Sequence, residues 1–132
     1  MSMDESRKLL FDACLELADY ARKMGIVLLL ENNVVAHFNS ADGINDKYHL
    51  ADLEESGNFI SLFQHSHIKM LLDTGHLKVS ALTLKFNPVE FIERFKPYIK
   101  VLHLSENDGT EDQNQRVCAN SWFWEHLPWD QV

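Results

Sequence analysis

Three largely apolar runs in this chain each stop at a side chain that can bind a metal ion. Ile26-Val27-Leu28-Leu29-Leu30 ends at Glu31, Ile68-Lys69-Met70-Leu71-Leu72 at Asp73, and Ile99-Lys100-Val101-Leu102 at His103. A polar residue closing one strand is ordinary loop chemistry. Three of them on adjacent parallel strands are another matter, because such strands lie only about 4.8 Å apart and the side chains converge. Carboxylates brought together without a counter-charge repel each other. A divalent cation resolves that conflict, and carboxylate plus imidazole donors suit Mn²⁺, Mg²⁺, Co²⁺ or Zn²⁺. His76, in Asp73-Thr74-Gly75-His76, is a fourth candidate as a ligand or substrate contact, with Gly75 expected to permit a tight turn that points Asp73 and His76 to one site.

The elements that must position these groups follow from the pattern of the chain. Leu10, Ala13, Leu17, Ala21 and Met24 recur at helical spacing, widened by Leu9, Cys14 and Ala18, and predict a helix over 4–24. Ser2 and Glu5 have the spacing of a capping box, and Gly25 stands where a left-handed C-cap belongs. The continuous apolar runs predict strands buried on both faces, as in a parallel sheet covered by helices. A short helix is expected over 50–63, after a polar loop from 39 to 47. Another is expected where Asn87 can cap and Pro88 takes the first helical position, with Val89, Phe91, Ile92 and Phe95 as its apolar surface. Alternating helix and strand signals parallel βαβ units, whose active sites lie at the C-terminal ends of the strands. The segment 110–132 lacks periodicity and is read as loop with one short helical turn.

The remaining histidines carry less. His65 and His67 precede the second strand, at the wrong end of the sheet, and read as structural or solvated; His37 could reach the mouth of the site; His49 and His126 carry no signal. The two cysteines, Cys14 and Cys118, make neither a disulfide framework nor a zinc knuckle, and Cys14 reads as core. With 12 Lys+Arg against 20 Asp+Glu the net charge is −8, and no basic patch offsets it, so nucleic acid is disfavoured as a partner. The N-terminus has no signal-peptide pattern and no apolar run approaches about 18 residues, so the expectation is a cytoplasmic protein without a membrane span.

Leu-Leu-Leu-Glu-Asn-Asn (28–33), Leu-Leu-Asp-Thr-Gly-His (71–76) and Leu-His-Leu-Ser-Glu-Asn-Asp-Gly-Thr-Glu-Asp-Gln-Asn (102–114) together resemble successive motifs of the xylose isomerase-like TIM barrel superfamily. That superfamily includes sugar and sugar phosphate isomerases and epimerases and the class II apurinic endonucleases. The resemblance implies an α/β fold: a single partial (β/α)₈ barrel domain over 1–132, with about three parallel strands and flanking helices, near strands five to seven of the family barrel. It implies that Glu31 is a metal ligand and catalytic proton-transfer group, and that Asp73 and His103 are metal ligands. His76 and Asp112 are implied as substrate-binding or second-metal residues. Where the endonuclease branch has Asp-x-His, this chain has Asp112-Gln113-Asn114. A carboxamide is a poor transition-metal ligand compared with imidazole, so the isomerase branch is favoured.

The function implied is divalent-metal-dependent isomerisation or epimerisation of a small sugar or sugar phosphate, by proton transfer through a metal-stabilised enediolate. The alternatives are an endonuclease-like phosphodiesterase acting on abasic DNA, and a non-catalytic fragment that binds metal or self-associates. A complete barrel typically needs about 250 residues, and the resemblance leaves the early histidine-bearing strand and the last-strand glutamate outside this chain. Glu125 and Asp130 lack the strand-end context to replace that glutamate. Catalysis by this chain alone is therefore expected to be incomplete, and its open sheet edges are expected to favour a homo-oligomer.

Overall fold

The computed structural model describes residues 1–132. Helix α1 spans Met3–Met24. The capping box forms as its spacing requires: Glu5 N–H donates to Ser2 Oγ at 3.2 Å, and Ser2 N–H donates to a Glu5 carboxylate oxygen at 2.7 Å. Gly25 closes the helix in the left-handed region, with φ 69°. Cys14, Ala18 and Ala21 form the buried face, and burial raises the Cys14 thiol pKa. Both cysteines are free.

Strands β1 (Leu28–Glu31), β2 (Ile68–Asp73) and β3 (Ile99–His103) form one parallel sheet in that order. Ile26 and Val27 stay outside β1, and both are exposed. In the β1–β2 ladder Glu31 pairs with Leu71, and in the β2–β3 ladder Asp73 pairs with His103, after an irregularity between Met70 and Leu71. The expectation of strands buried on both faces is corrected: only β2 is largely buried, whereas β1 is half-buried and Val101 and His103 of β3 are exposed. The helices supply one apolar layer. Ile68, Met70, Leu72 and Ile99 pack in a core with Phe59, Phe63, Phe91, Phe95, Phe123 and Leu127. The apolar character of the outer strands exceeds what these three strands bury among themselves.

Two helices differ from expectation. The stretch read as one helix over 50–63 is broken into α2 (Leu53–Gly57) and α3 (Ile60–Phe63). Asp52 caps α2 through Glu55 N–H at 2.7 Å, and a side chain at Gly57 would collide with the Arg94 guanidinium. Helix α4 (Thr74–Leu84) starts directly after β2, where the sequence reading has a turn. Its buried face includes Thr74, Gly75, Ser80 and Thr83 as well as Leu77 and Val79, so no continuous apolar stripe marks it. Ser80 Oγ accepts from Val35 N–H at 2.9 Å, which ties α4 to the segment after β1. Helix α5 (Pro88–Phe95) forms as expected, capped by Asn87 and begun by Pro88. The C-terminal segment forms turns without a helix, yet Phe123 and Leu127 anchor it in the core.

His49, which carries no sequence signal, is a structural hub. Its ring nitrogens lie 2.8 Å from Ser6 Oγ and 2.7 Å from Glu55 Oε1, and the other Glu55 oxygen accepts from Leu50 N–H at 2.9 Å. Leu50 C=O accepts in turn from Asn33 N–H at 3.0 Å, so this network links α1 to the chain leaving β1. His49→Ala removes both ring contacts and leaves Glu55 Oε1 with only Arg7, at 3.9 Å. A loss of about 1–3 kcal/mol in thermal or urea unfolding is expected; an unchanged midpoint would contradict the role assigned to His49.

Candidate metal centre

The strand ends gather Glu31, Asp73 and His103. One ligand atom from each lies within 4.8 Å of the other two. Donors bound to one ion at about 2.1 Å lie roughly 3–4 Å apart, so a small closing movement suffices. Asp73 is fully buried, while Glu31 and His103 keep side-chain exposures of 43% and 56%. The site therefore has a buried floor and an open mouth.

The two Asp73 oxygens are used differently. Oδ1 accepts from His76 N–H at 2.9 Å and caps α4. Oδ2 lies 2.5 Å from His103 Nδ1 and 4.0 Å from His76 Nε2, but no donor is aligned to hydrogen-bond it. A buried carboxylate oxygen left unpaired is costly. Beside an imidazole nitrogen and a second carboxylate, it has the character of a ligand set. The residues present fit a divalent cation.

His76 stands at the edge of this cluster. Its Nδ1 is 2.8 Å from the Asn32 carbonyl and 3.8 Å from Glu31 Oε1, and its Nε2 is 3.3 Å from Asp112 Oδ2. Asp112 arrives on the loop after β3, which is clamped at its base. Glu106 and Gln115 exchange backbone hydrogen bonds, and Lys78 Nζ donates to Glu106 at 2.9 Å. Burial opposes ionisation of Glu106, but hydrogen bonds from Lys78 and Ser121 and the Lys78 charge outweigh it and lower its pKa. Farther along, bonds from Thr110 and Gln113 hold the Asp108 carboxyl at about 2. Asn114, where the endonuclease motif has histidine, donates to Asp112 Oδ1 at 3.2 Å and orients that carboxylate.

Gly75 does not make the expected tight turn. It lies inside the first turn of α4, and a Cβ there would collide with Ser105 Oγ and come within 3.1 Å of Asn107 Nδ2. Glycine is needed because the loop after β3 packs directly on this turn. Asp73 and His76 still face the site together, through helix geometry. Among the other histidines, His37 is exposed on a 3₁₀ turn, outside the three-residue cluster. His65 and His67 lie at the opposite end of β2, where His67 Nδ1 contacts the Ile26 carbonyl at 2.8 Å. The residue that sequence reasoning passed over is Asn32, 2% exposed and bonded to both backbone groups of Asp73; its position next to Glu31 was the available signal.

A half-open parallel sheet with a carboxylate–imidazole cluster at its C-terminal edge belongs to the α/β barrel class. A family model described as xylose isomerase-like TIM barrel matches residues 2–131, and the chain belongs to that family. No curated protein and no solved structure matches significantly. No helix is long and apolar enough to cross a membrane.

The geometry makes Asp73→Asn informative. Asparagine keeps the Oδ1 cap and removes the unpaired buried charge. In EDTA the variant is expected to be as stable as the wild type or more stable, by up to about 1 kcal/mol or roughly 4 °C. Added Mn²⁺ should raise the melting temperature of the wild type only. A marked loss of stability in EDTA would show that Asp73 is satisfied without an ion.

Proposed function

We propose that this chain contributes a metal site and a proton-transfer carboxylate to an isomerase or epimerase acting on small sugars or sugar phosphates. The observation that carries this reading is Asp73 Oδ2, buried without a hydrogen bond beside His103 Nδ1 and Glu31. Asp73, His103 and Glu31 would hold a divalent cation. Bound there, the ion would act as a Lewis acid toward the oxygens of a keto-sugar.

The rest of the chemistry belongs to the chain. Asp73, fixed by burial and by its cap on α4, gives the site its rigid floor. Glu31, at the end of β1 and half-exposed, can approach a substrate C–H next to the carbonyl and take its proton. Returning that proton to the neighbouring carbon isomerises; return to the same carbon from the other face, with a second base, epimerises. His76 and Asp112 line the same mouth and can hydrogen-bond substrate hydroxyls. The endonuclease reading receives less support, because Asn114 is spent on orienting Asp112 and the chain carries a −8 charge. The unpaired edges of β1 and β3 support pairing with a second copy; a single monomeric species in sedimentation would count against it.

One half-reaction needs only one base, so exchange of substrate hydrogen with solvent reports on Glu31 directly. With Mn²⁺, transfer of deuterium from D₂O into a ketopentose, a ketohexose or their phosphates is expected above the rate with free Mn²⁺. Glu31→Gln should lower it at least about 100-fold. Calorimetric titration with Mn²⁺ should show weaker binding in Glu31→Gln and Asp73→Asn. Unaltered affinity in both variants would remove the proposed site, and exchange no faster than with free Mn²⁺ would remove the proposed chemistry.

A further inference from the structure

Asn32 follows Glu31 where the chain leaves β1. The β1–β2 ladder ends at the Glu31–Leu71 pair, but the pairing is continued by a side chain. Asp73 N–H donates to Asn32 Oδ1 at 2.7 Å, and Asn32 Nδ2 donates to the Asp73 carbonyl at 3.1 Å. The carboxamide supplies the donor and acceptor that a further peptide group of β1 would have supplied. Few side chains can do this: it takes one donor and one acceptor at short reach. Aspartate would present two acceptors and a charge beside a buried carboxylate, and leucine would remove the acceptor for Asp73 N–H and one donor to its carbonyl.

The main chain of Asn32 does a second thing. Its carbonyl accepts from His76 Nδ1 at 2.8 Å. A carbonyl can only accept, so Nδ1 carries a proton, while Nε2 faces Asp112 Oδ2 at 3.3 Å. The carboxamide that clamps Asp73 and the carbonyl that meets His76 belong to one residue. Asn32 thus touches both the backbone bearing Asp73 and the ring of His76.

We propose that Asn32 is a positioning residue of this site, holding Asp73 in place and keeping the His76 Nδ1–H on its own carbonyl. The consequence for metal affinity rests on the metal-binding reading above; the effect on His76 does not. Two measurements on the full chain separate them. In metal-free protein, long-range ¹H–¹⁵N correlation should show hydrogen on His76 Nδ1 in the wild type, and that hydrogen shifted toward Nε2 in Asn32→Ala. Mn²⁺ affinity in Asn32→Ala should fall about 10–100-fold.

Ser80→Ala is the control for general loosening. Ser80 bonds Val35 N–H and the Asn33 carbonyl on the same segment, so this variant should keep the Nδ1 hydrogen and the affinity. If Asn32→Ala does not fold, Asn32→Asp retains the acceptor for Asp73 N–H and is expected to shift the same hydrogen. A wild type that does not bind Mn²⁺ would overturn the metal reading while leaving the ring measurement decisive for Asn32. An Nδ1–H ring that persists in the Asn32 variant, or an equal shift in Ser80→Ala, would overturn the proposal.

Discussion

The structure turns on the carboxylate of Asp73. Fully buried at the end of the central strand, it has one oxygen committed to the first turn of α4 and the other against His103 without a hydrogen bond. Capping a helix with a carboxylate is stabilising, since the orphan amides and the helix dipole both favour an anion there. Burying the same carboxylate is destabilising unless its second oxygen finds a cation or a donor. The fold secures the first interaction and gives the second oxygen imidazole neighbours without an aligned donor, an imbalance that a cation would relieve. Because the helix follows the strand without a linker, His76 is delivered to the same place by the same turn.

Positioning Asp73 requires the neighbours on either side to meet it closely. On the β1 side this is achieved by the Asn32 carboxamide, and on the β3 side by register, with Asp73 opposite His103. Thr74 Oγ1 accepts from Ser105 N–H at 3.1 Å, and Asn107 Nδ2 donates to the Gly75 carbonyl at 3.0 Å, so the loop after β3 is bolted to the start of α4. That contact is so tight that position 75 has no room for a methyl group. Glycine here is a packing requirement and not a conformational one.

Periodic and capping signals read correctly wherever one local rule decided the outcome. α1 and its caps, α5 with Asn87 and Pro88, and the three strands were all legible, as was the set Glu31, Asp73 and His103 at their ends. α4 was not, because its buried face mixes threonine, serine and glycine with leucine and valine, and amphipathicity is the only signal a helix of this kind could have offered. His49 was silent because its partners are a serine 43 positions away and a glutamate on another helix. The strands' apolar runs overstated their burial here because a barrel strand meets helices outside and other strands inside, and this sheet has only the first cover. Asn32 offered only its place beside Glu31 as a signal, because its partner Asp73 is 41 positions away.

The site also divides by rigidity. Glu31, Asp73 and His103 sit on strand ends, where each backbone is held by a ladder or, for Asp73, by the Asn32 clamp as well. Asp112 sits on a loop clamped only at its base, by the Glu106–Gln115 bridge and by Lys78, with its tip exposed and organised by the Asp108 carboxyl. His76 donates from Nδ1 to the Asn32 carbonyl, and its Nε2 faces an Asp112 oxygen that also only accepts, at 3.3 Å. Two acceptors at that separation are held together only by something between them: a proton on Nε2, a substrate hydroxyl that donates to one of them, or a cation. The strand-end donors are thus held by backbone on both sides, while the His76–Asp112 pair depends on a surface loop. A ligand at the mouth would meet that loop, and an ion at the floor would meet the strands.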